Sequence, residues 1–292
     1  MNPFNLNREE ILHKSFENRS LSLEMIKNAL SGHPGGSLSV ADIISVLFFS
    51  VMNYSLNNFN DADKDHFILS NGHTVASYYA SLFQIGLIEK DELLNTFRKI
   101  DSRLQGHPHN LSLPFIEAST GPLGQGVGVG IGIGLGLKMS KLSNRNVYII
   151  SSDGEHQEGS VWETIQFASS RRLDNTVVVI DNNNIEIDGF VNDIVPVEPL
   201  KKKYEAFGWE AYEVNGNNID DLLYIFDLIK KSMLLHNGKP KVVIAHTVLG
   251  FGVDFMENNY VWHGKSINDI EFDLACKSLK SYEYNILEGK SI

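Results

Sequence analysis

Residues 146–184 read NVYIISSDGEHQEGSVWETIQFASSRRLDNTVVVIDNNN. The two runs at 146–152 and 175–182 are continuous, apolar and rich in Val and Ile, as expected of strands covered on both faces. A helical stretch at 160–172 separates them. Strand–helix–strand in this form argues for parallel strands joined by a crossover helix. The pattern continues outward: a helical stretch at 219–236 precedes a third apolar run, PKVVIAHTV, at 240–248. HFILS at 66–70 is short and β-compatible, and WEAYEV at 209–214 offers one more strand. Helices are expected at the start of the chain, at 40–52, at 74–86 and at 90–100, with a break by glycines and a proline at 31–36. The expected fold class is α/β, a parallel sheet with helices on both faces. With no low-complexity linker and no repeat, one domain over 1–292 is the simplest organisation, its polar tail after about Asp269 forming a short helix that leads out.

Composition narrows the function classes. The chain has 292 residues, enough for a sizeable core. It carries 25 basic against 36 acidic residues, a net charge of -11, the wrong sign for a general nucleic-acid or anionic-membrane binder. One cysteine, Cys276, excludes an internal disulfide framework. No apolar run approaches the ~20 residues of a membrane helix, and the first residues lack an apolar signal core. A cytoplasmic protein is the default expectation.

From Gly124 to Gly136, glycine occupies every second position. Local propensity favours a strand, or at least a poor helix. The spacing does not match the dinucleotide fingerprint, and a P-loop is absent as well.

Ligands of open parallel sheets bind beyond the carboxyl ends of the strands. Three such ends carry unusual polar residues: Asn71-Gly72-His73, the run from Asp153 to Gly159, and Asn182-Asn183-Asn184-Ile185. If the two later strands are neighbours, Asp153 and Asn183 face one crevice. A carboxylate, an amide oxygen and a backbone carbonyl form a hard-oxygen partial shell suited to magnesium or calcium. The plainer reading stays open at this point, because Asp-Gly after a strand is usually a turn and Asn runs are common in loops. A transition-metal cluster of Asp153, His156 and Glu158 is less favoured, since no second close histidine completes it.

The spacing of Asp153-Gly154 and Asn183, thirty positions apart across a strand–helix–strand unit, resembles the thiamine diphosphate-binding motif. The series Ser-Gly-His-Pro-Gly-Gly at 31–36, Leu-Ser-Asn-Gly-His at 69–73, Gly-His-Pro at 106–108, Thr-Gly-Pro-Leu-Gly-Gln-Gly at 120–126, Phe-Met-Glu-Asn-Asn at 255–259 and Trp-His-Gly at 262–264 is similar to transketolase, in the same order and over nearly the whole chain. The resemblance implies the thiamine diphosphate-binding fold. It places a magnesium ion (or calcium or manganese) on Asp153, Asn183 and the Ile185 carbonyl. His73, His263, Gly121, Pro122, Leu123, Gly154, Glu158 and Asn183 would contact the cofactor, and His33, His107 and His263 would surround the reacting sugar oxygens. The glycine run would then be a helix, against the local reading. Ser152 stands where the family usually has glycine; Asn184, also often glycine, tolerates left-handed backbone. Glu158 and Glu163 suit a helix start, or Glu158 a network between paired active sites. Lys201-Lys202-Lys203 reads as a solvated face, and His13, His236 and His246 as structural.

The family reaction moves a two-carbon ketol unit from a ketose phosphate donor to an aldose phosphate acceptor. It also needs a glutamate carried on a second domain that is not found here. The resemblance therefore implies the amino-terminal subunit of a split transketolase, which works with a separate carboxyl-terminal subunit in a two-plus-two assembly, with no nucleic-acid or membrane partner. The alternatives are the alpha subunit of another thiamine diphosphate enzyme, a dedicated biosynthetic transketolase, and a non-catalytic regulatory subunit.

Overall fold

The computed structural model describes residues 1–57, 59, 63–142 and 144–290; of the span 1–292 expected as one domain, 58, 60–62, 143, 291 and 292 lie outside the described residues. In chain order the elements are α1 (Arg8–Ala29), α2 (Pro34–Ser39), α3 (Ala41–Val46), β1 (His66–Leu69), α4 (Val75–Gln84), α5 (Lys90–Thr96), α6 (Gln125–Met139), β2 (Val147–Ser152), α7 (Gly159–Ser170), β3 (Thr176–Asn182), β4 (Ile185–Glu186), β5 (Gly189–Phe190), α8 (Val191–Ile194), α9 (Leu200–Ala206), β6 (Glu210–Asn215), α10 (Ile219–Met233), β7 (Lys241–His246) and α11 (Asp269–Leu287). A five-stranded sheet in the order β1-β2-β3-β7-β6 is parallel throughout. β4 and β5 form a small antiparallel hairpin.

Period-two alternation splits the strands between two cores. Phe67, Leu69, Tyr148, Ile150, Val177, Val179 and Val243 pack toward α1, α3, α4 and α10. Ile68, Val147, Ile149, Val178, Ile180, Val242 and Ile244 pack toward α6, α7 and α9. Helices therefore cover both faces, as the unbroken Val/Ile runs require. The crossover α7 lies on one face and α10 on the other. Among the described residues no helix is long and apolar enough to cross a membrane.

Three local expectations change. The expected break is present but falls at 30–33, between α1 and α2; Pro34, Gly35 and Gly36 already form the first turn of α2, where a proline at N1 is pre-set for helix and loses no hydrogen bond. The polar tail forms the 19-residue helix α11, which packs along α1 through buried Ala275 and Leu279 instead of leading out. The glycine run is the helix α6, as the resemblance implied and the local reading did not.

Tertiary packing explains that override. A Cβ on Gly126 would sit 2.6 Å from the Ser70 Cα, one on Gly130 2.5 Å from Ile149 side-chain atoms, and one on Gly134 2.4 Å from Thr176 Cγ2. This row lets the helix axis approach the sheet closely. The opposite row, Gly132 and Gly136, has nothing within 4 Å. Gly126→Ala should therefore destabilise the chain by roughly 1–3 kcal/mol, the cost of overpacking against backbone. Gly132→Ala should stabilise it by about 0.5–1 kcal/mol through helix propensity. Urea unfolding of the isolated chain checks both signs.

Candidate active site

The register decides the geometry. β2 and β3 are direct neighbours, with Ser152 opposite Asp181, and the Asp153 N–H donates to the Asp181 carbonyl at 3.2 Å. Asp153 and Asn183 consequently leave adjacent strand tips side by side. Asp153 is buried; its carboxylate accepts from the Gly154 N–H at 2.8 Å and from the Asn184 N–H. Asn184 has φ of 60°, the left-handed conformation anticipated for it. The Asn183 Oδ1 accepts from the Ile185 N–H at 2.9 Å, and its Nδ2 donates to Asp181 Oδ2 at 2.9 Å.

Asp181 was not anticipated as part of the site. Fully buried, it accepts from Ser39 Oγ at 2.7 Å and from the Thr247 hydroxyl, and so locks the orientation of Asn183. Burial, then the charge of Asp181, pushes Asp153 up to about 8, and burial raises Asp181 to about 6. Glu155 was also missed. It is buried beneath the same tips, accepts from Ser70 Oγ and from the Gly124 N–H, and is raised by burial to about 7.

A cavity of about 370 Å³ opens over these tips, lined by His33, His73, Gly121, Leu123, Ser152, Gly154, Gln157, Glu158, Asn183, Ile185, Glu186, Ile187, Asp188 and His263. Pro122 is exposed and is not part of this lining, and His107 stands beside it against Gly121. Gln157, Glu186, Ile187 and Asp188 are lining residues that motif reading missed. Gln157 Nε2 donates to Glu186 Oε2 at 2.8 Å.

The glycines of the motifs gather the histidines. A Cβ on Gly35 would meet Leu249 Cγ at 2.7 Å and the Trp262 carbonyl at 2.9 Å; one on Gly36 would meet Thr74 Cγ2 at 2.9 Å and His73 Nε2 at 3.4 Å. The start of α2 can thus nest between the turns carrying His73 and His263. A Cβ on Gly72 would lie 3.0 Å from the Gly121 Cα, and one on Gly121 3.0 Å from the His107 ring. Ring centroids are 5.0 Å apart for His73–His263, 5.4 Å for His33–His73 and 5.9 Å for His33–His263. Burial, then neighbouring imidazoles and Arg98, lowers His33 to about 4; His73, His107 and His263 are lowered too, burial being the largest cause in each. The cluster is neutral at pH 7. His33 Nδ1 and His263 Nδ1 are buried without a partner, an arrangement that buried polar atoms rarely keep unless a ligand completes it.

Of the remaining candidates only Glu158 reaches this centre. His156 has both ring nitrogens engaged, with the Ser152 carbonyl and the Tyr204 hydroxyl, each at 2.8 Å. It is therefore no ligand beside Asp153 and Glu158, and no group of three or more metal-type side chains occurs among the described residues. Glu158 sits at the cap of α7 and lines the cavity, whereas Glu163 is exposed. Lys201 pairs with Glu213, and Lys203 lies over Trp162. His13 meets Glu283 and His246 meets Glu213; His236 lines a separate cavity.

For His33 and His156, both lowered to about 4 from 6.5, folding stability is present above pH 6.5 and is lost as pH falls toward 4. Buried Asp153, Glu155 and Asp181, raised to about 8, 7 and 6, contribute the opposite trend, so the histidine part is read by difference: relative to the parent chain, His156→Gln should gain in urea midpoint as pH falls across that window.

Residues 13–285 match the family model described as transketolase, thiamine diphosphate binding domain. The chain is 37% identical over 281 residues to one of the subunits of the apulose-4-phosphate transketolase of Actinobacillus succinogenes, covering 96% of this chain and 99% of that protein. It is 33% identical over 271 residues to the 6-deoxy-6-sulfo-D-fructose transketolase subunit SqwG of a Clostridium species, covering 93% and 96%. The transketolase of Campylobacter jejuni superposes with a TM-score of 0.86 at 29% identity, covering 94% of this chain but 43% of that one. The chain thus spans under half the length of that solved transketolase.

Proposed function

The chain belongs to the transketolase family, through its thiamine diphosphate-binding domain, and from that premise we propose that it is the amino-terminal subunit of a split transketolase, transferring a two-carbon ketol unit from a ketose phosphate to an aldose phosphate together with a separate carboxyl-terminal subunit. The observation that carries this reading is the convergence of four neutral histidines beside a cavity lined by Asn183, with Asp153 buried between the lining residues Ser152 and Gly154.

The residues fit a metal-bound diphosphate. No lysine or arginine is among the described residues lining the cavity, which include Glu158, Glu186 and Asp188. An anionic cofactor there needs a cation for compensation. The Asp153 carboxylate, the Asn183 amide oxygen and the Ile185 carbonyl form an oxygen-only set, suited to magnesium, with calcium or manganese as substitutes. Gly121, Leu123, Gly154 and Glu158 would border the cofactor, with Pro122 contributing backbone at most. The chemistry that thiamine diphosphate supplies when bound is an electron sink for carbon–carbon cleavage.

The chain's own part is binding, orientation and proton handling. His33, His107 and His263 would meet the sugar's reacting oxygens, and His73 and His263 the diphosphate side. A neutral imidazole both donates and accepts, so the cluster can hold a hydroxyl and take its proton. Because burial, helped at His33 and His73 by neighbouring imidazoles, disfavours protonation of these rings, the acceptor nitrogens stay available near neutral pH. The relatives named for apulose-4-phosphate and 6-deoxy-6-sulfo-D-fructose bracket a substrate class of ketoses with an anionic terminus.

The partner would bring the pyrimidine-binding and carboxyl-terminal domains in a two-plus-two assembly, and the cytoplasm is the expected location. Exposed Leu123, Ile187, Phe190, Ile194 and Val195 on and beyond the cavity lining give that partner an apolar surface to cover. The comparisons do not favour a 2-oxo acid dehydrogenase subunit, and the complete Asp153, Asn183 and histidine set does not favour a non-catalytic one.

The purified chain should bind magnesium and thiamine diphosphate yet show no ketol transfer until the carboxyl-terminal subunit is added; full turnover by the chain alone defeats the split reading. Asp153→Ala should weaken metal-dependent cofactor binding by about a hundredfold or more, since the site loses its anionic ligand. Calorimetry with unchanged affinity would remove the metal assignment. Because magnesium competes with a proton for Asp153, raised to about 8, metal affinity should strengthen as pH rises toward 8 and then level off.

A further inference from the structure

Arg98 stands beside the histidine cluster with no role in the reaction as outlined above. It follows α5 with φ of 57°, a left-handed backbone that a long side chain rarely adopts. Its N–H donates to the Leu104 carbonyl at 2.8 Å, closing the loop that runs on to Gly106 and His107. A Cβ on Gly106 would lie 3.0 Å from the guanidinium carbon and 3.2 Å from Nε and Nη1, so the planar group rests directly on the Gly106 backbone. Nη1 is buried and without a hydrogen-bond partner. No described carboxylate shifts the ionisation of Arg98; burial alone does. A half-buried, unpaired cation held on strained backbone is costly to keep, and such arrangements cluster at functional sites.

We propose that Arg98 is a positioning residue for the histidine cluster, supplying from beside His107 a fixed positive charge that no described carboxylate neutralises. It acts through the imidazoles and not on substrate. A cation at this place raises the cost of protonating His33 and His107, and so protects them as proton acceptors when the pH falls. The charged and titratable groups facing His33 are His73, His263, Arg98 and His107; His107 faces Arg98, His33 and His73. Glu158, Glu186 and Asp188 line the same cavity as His33. His263 is shifted by burial alone, which makes it an internal reference.

The inference rests on reading His33 and His107 as sugar-side groups, but its test reads ionisation in the chain itself. Carbon-13-edited NMR titration of the histidine rings, assigned with His33→Gln and His107→Gln, compares the full-length chain with Arg98→Met, Arg98→Gln and Arg98→Lys. Loss of the charge should raise the His33 and His107 midpoints by about half a unit to one unit, with His263 in place. Lysine, which keeps the charge, should hold both near their original values. Unmoved His33 and His107 in a folded neutral variant overturn the proposal. An equal rise of His263 overturns it too, because that marks general loosening, and so does a lysine variant that titrates like methionine. Absence of ketol transfer with the partner would sink the functional reading and leave this result standing.

Discussion

Everything at the site depends on how two parallel strands are aligned. Because Ser152 pairs with Asp181, the chain emerges from β2 and β3 at the same height, and the Asp153 N–H extends the ladder by one bond. A one-residue slip would turn Asp153 toward the opposite face of the sheet. The register is held by burial on both sides, since alternate residues of each strand belong to different cores. Asp181 then ties the strand tip to α2 through Ser39 and to the segment after β7 through Thr247. The same buried carboxylate that finishes β3 thus steers the amide of Asn183.

Close approach is the second constraint. Gly35, Gly36, Gly72 and Gly121 each sit where a methyl group would come within 2.7–3.0 Å of a neighbour, closer than van der Waals contact. Their absence of side chains lets separate turns meet, so histidines far apart in the chain come within ring-contact distance. Burial then acts on the chemistry: it disfavours the imidazolium form and leaves ring nitrogens whose hydrogen-bonding capacity is unspent.

Much of this was legible in the sequence because it is written in local pattern. The Val/Ile runs announce strands with two covered faces, and Asp153-Gly154 with Asn182-Asn183 mark their tips. Asn184 shows its left-handed backbone through residue type alone. Other parts were not legible, for identifiable reasons. The helix α6 violates propensity, and its justification lies in Ser70, Ile149 and Thr176 across the interface. Pro34 and Gly35 look like breakers but open a helix, the proline suiting its first turn and the glycine leaving room for Leu249 and the Trp262 carbonyl. Asp181 hides inside an apolar run, with partners at 39 and 247 that no spacing rule connects. Glu155 lies in the quoted motif, but its importance comes from Ser70 and Gly124, which only the fold brings near.

The want of any lysine or arginine in the described lining of the cavity has a consequence for how the protein lives with its coenzyme. With acidic side chains nearby and neutral rings overhead, that lining does not attract a bare pyrophosphate from a distance. On the metal-bound reading proposed above, loading would be a partnership between the vitamin derivative and an inorganic ion, and the fraction of competent molecules would follow the free divalent-ion pool of its surroundings as closely as the coenzyme supply.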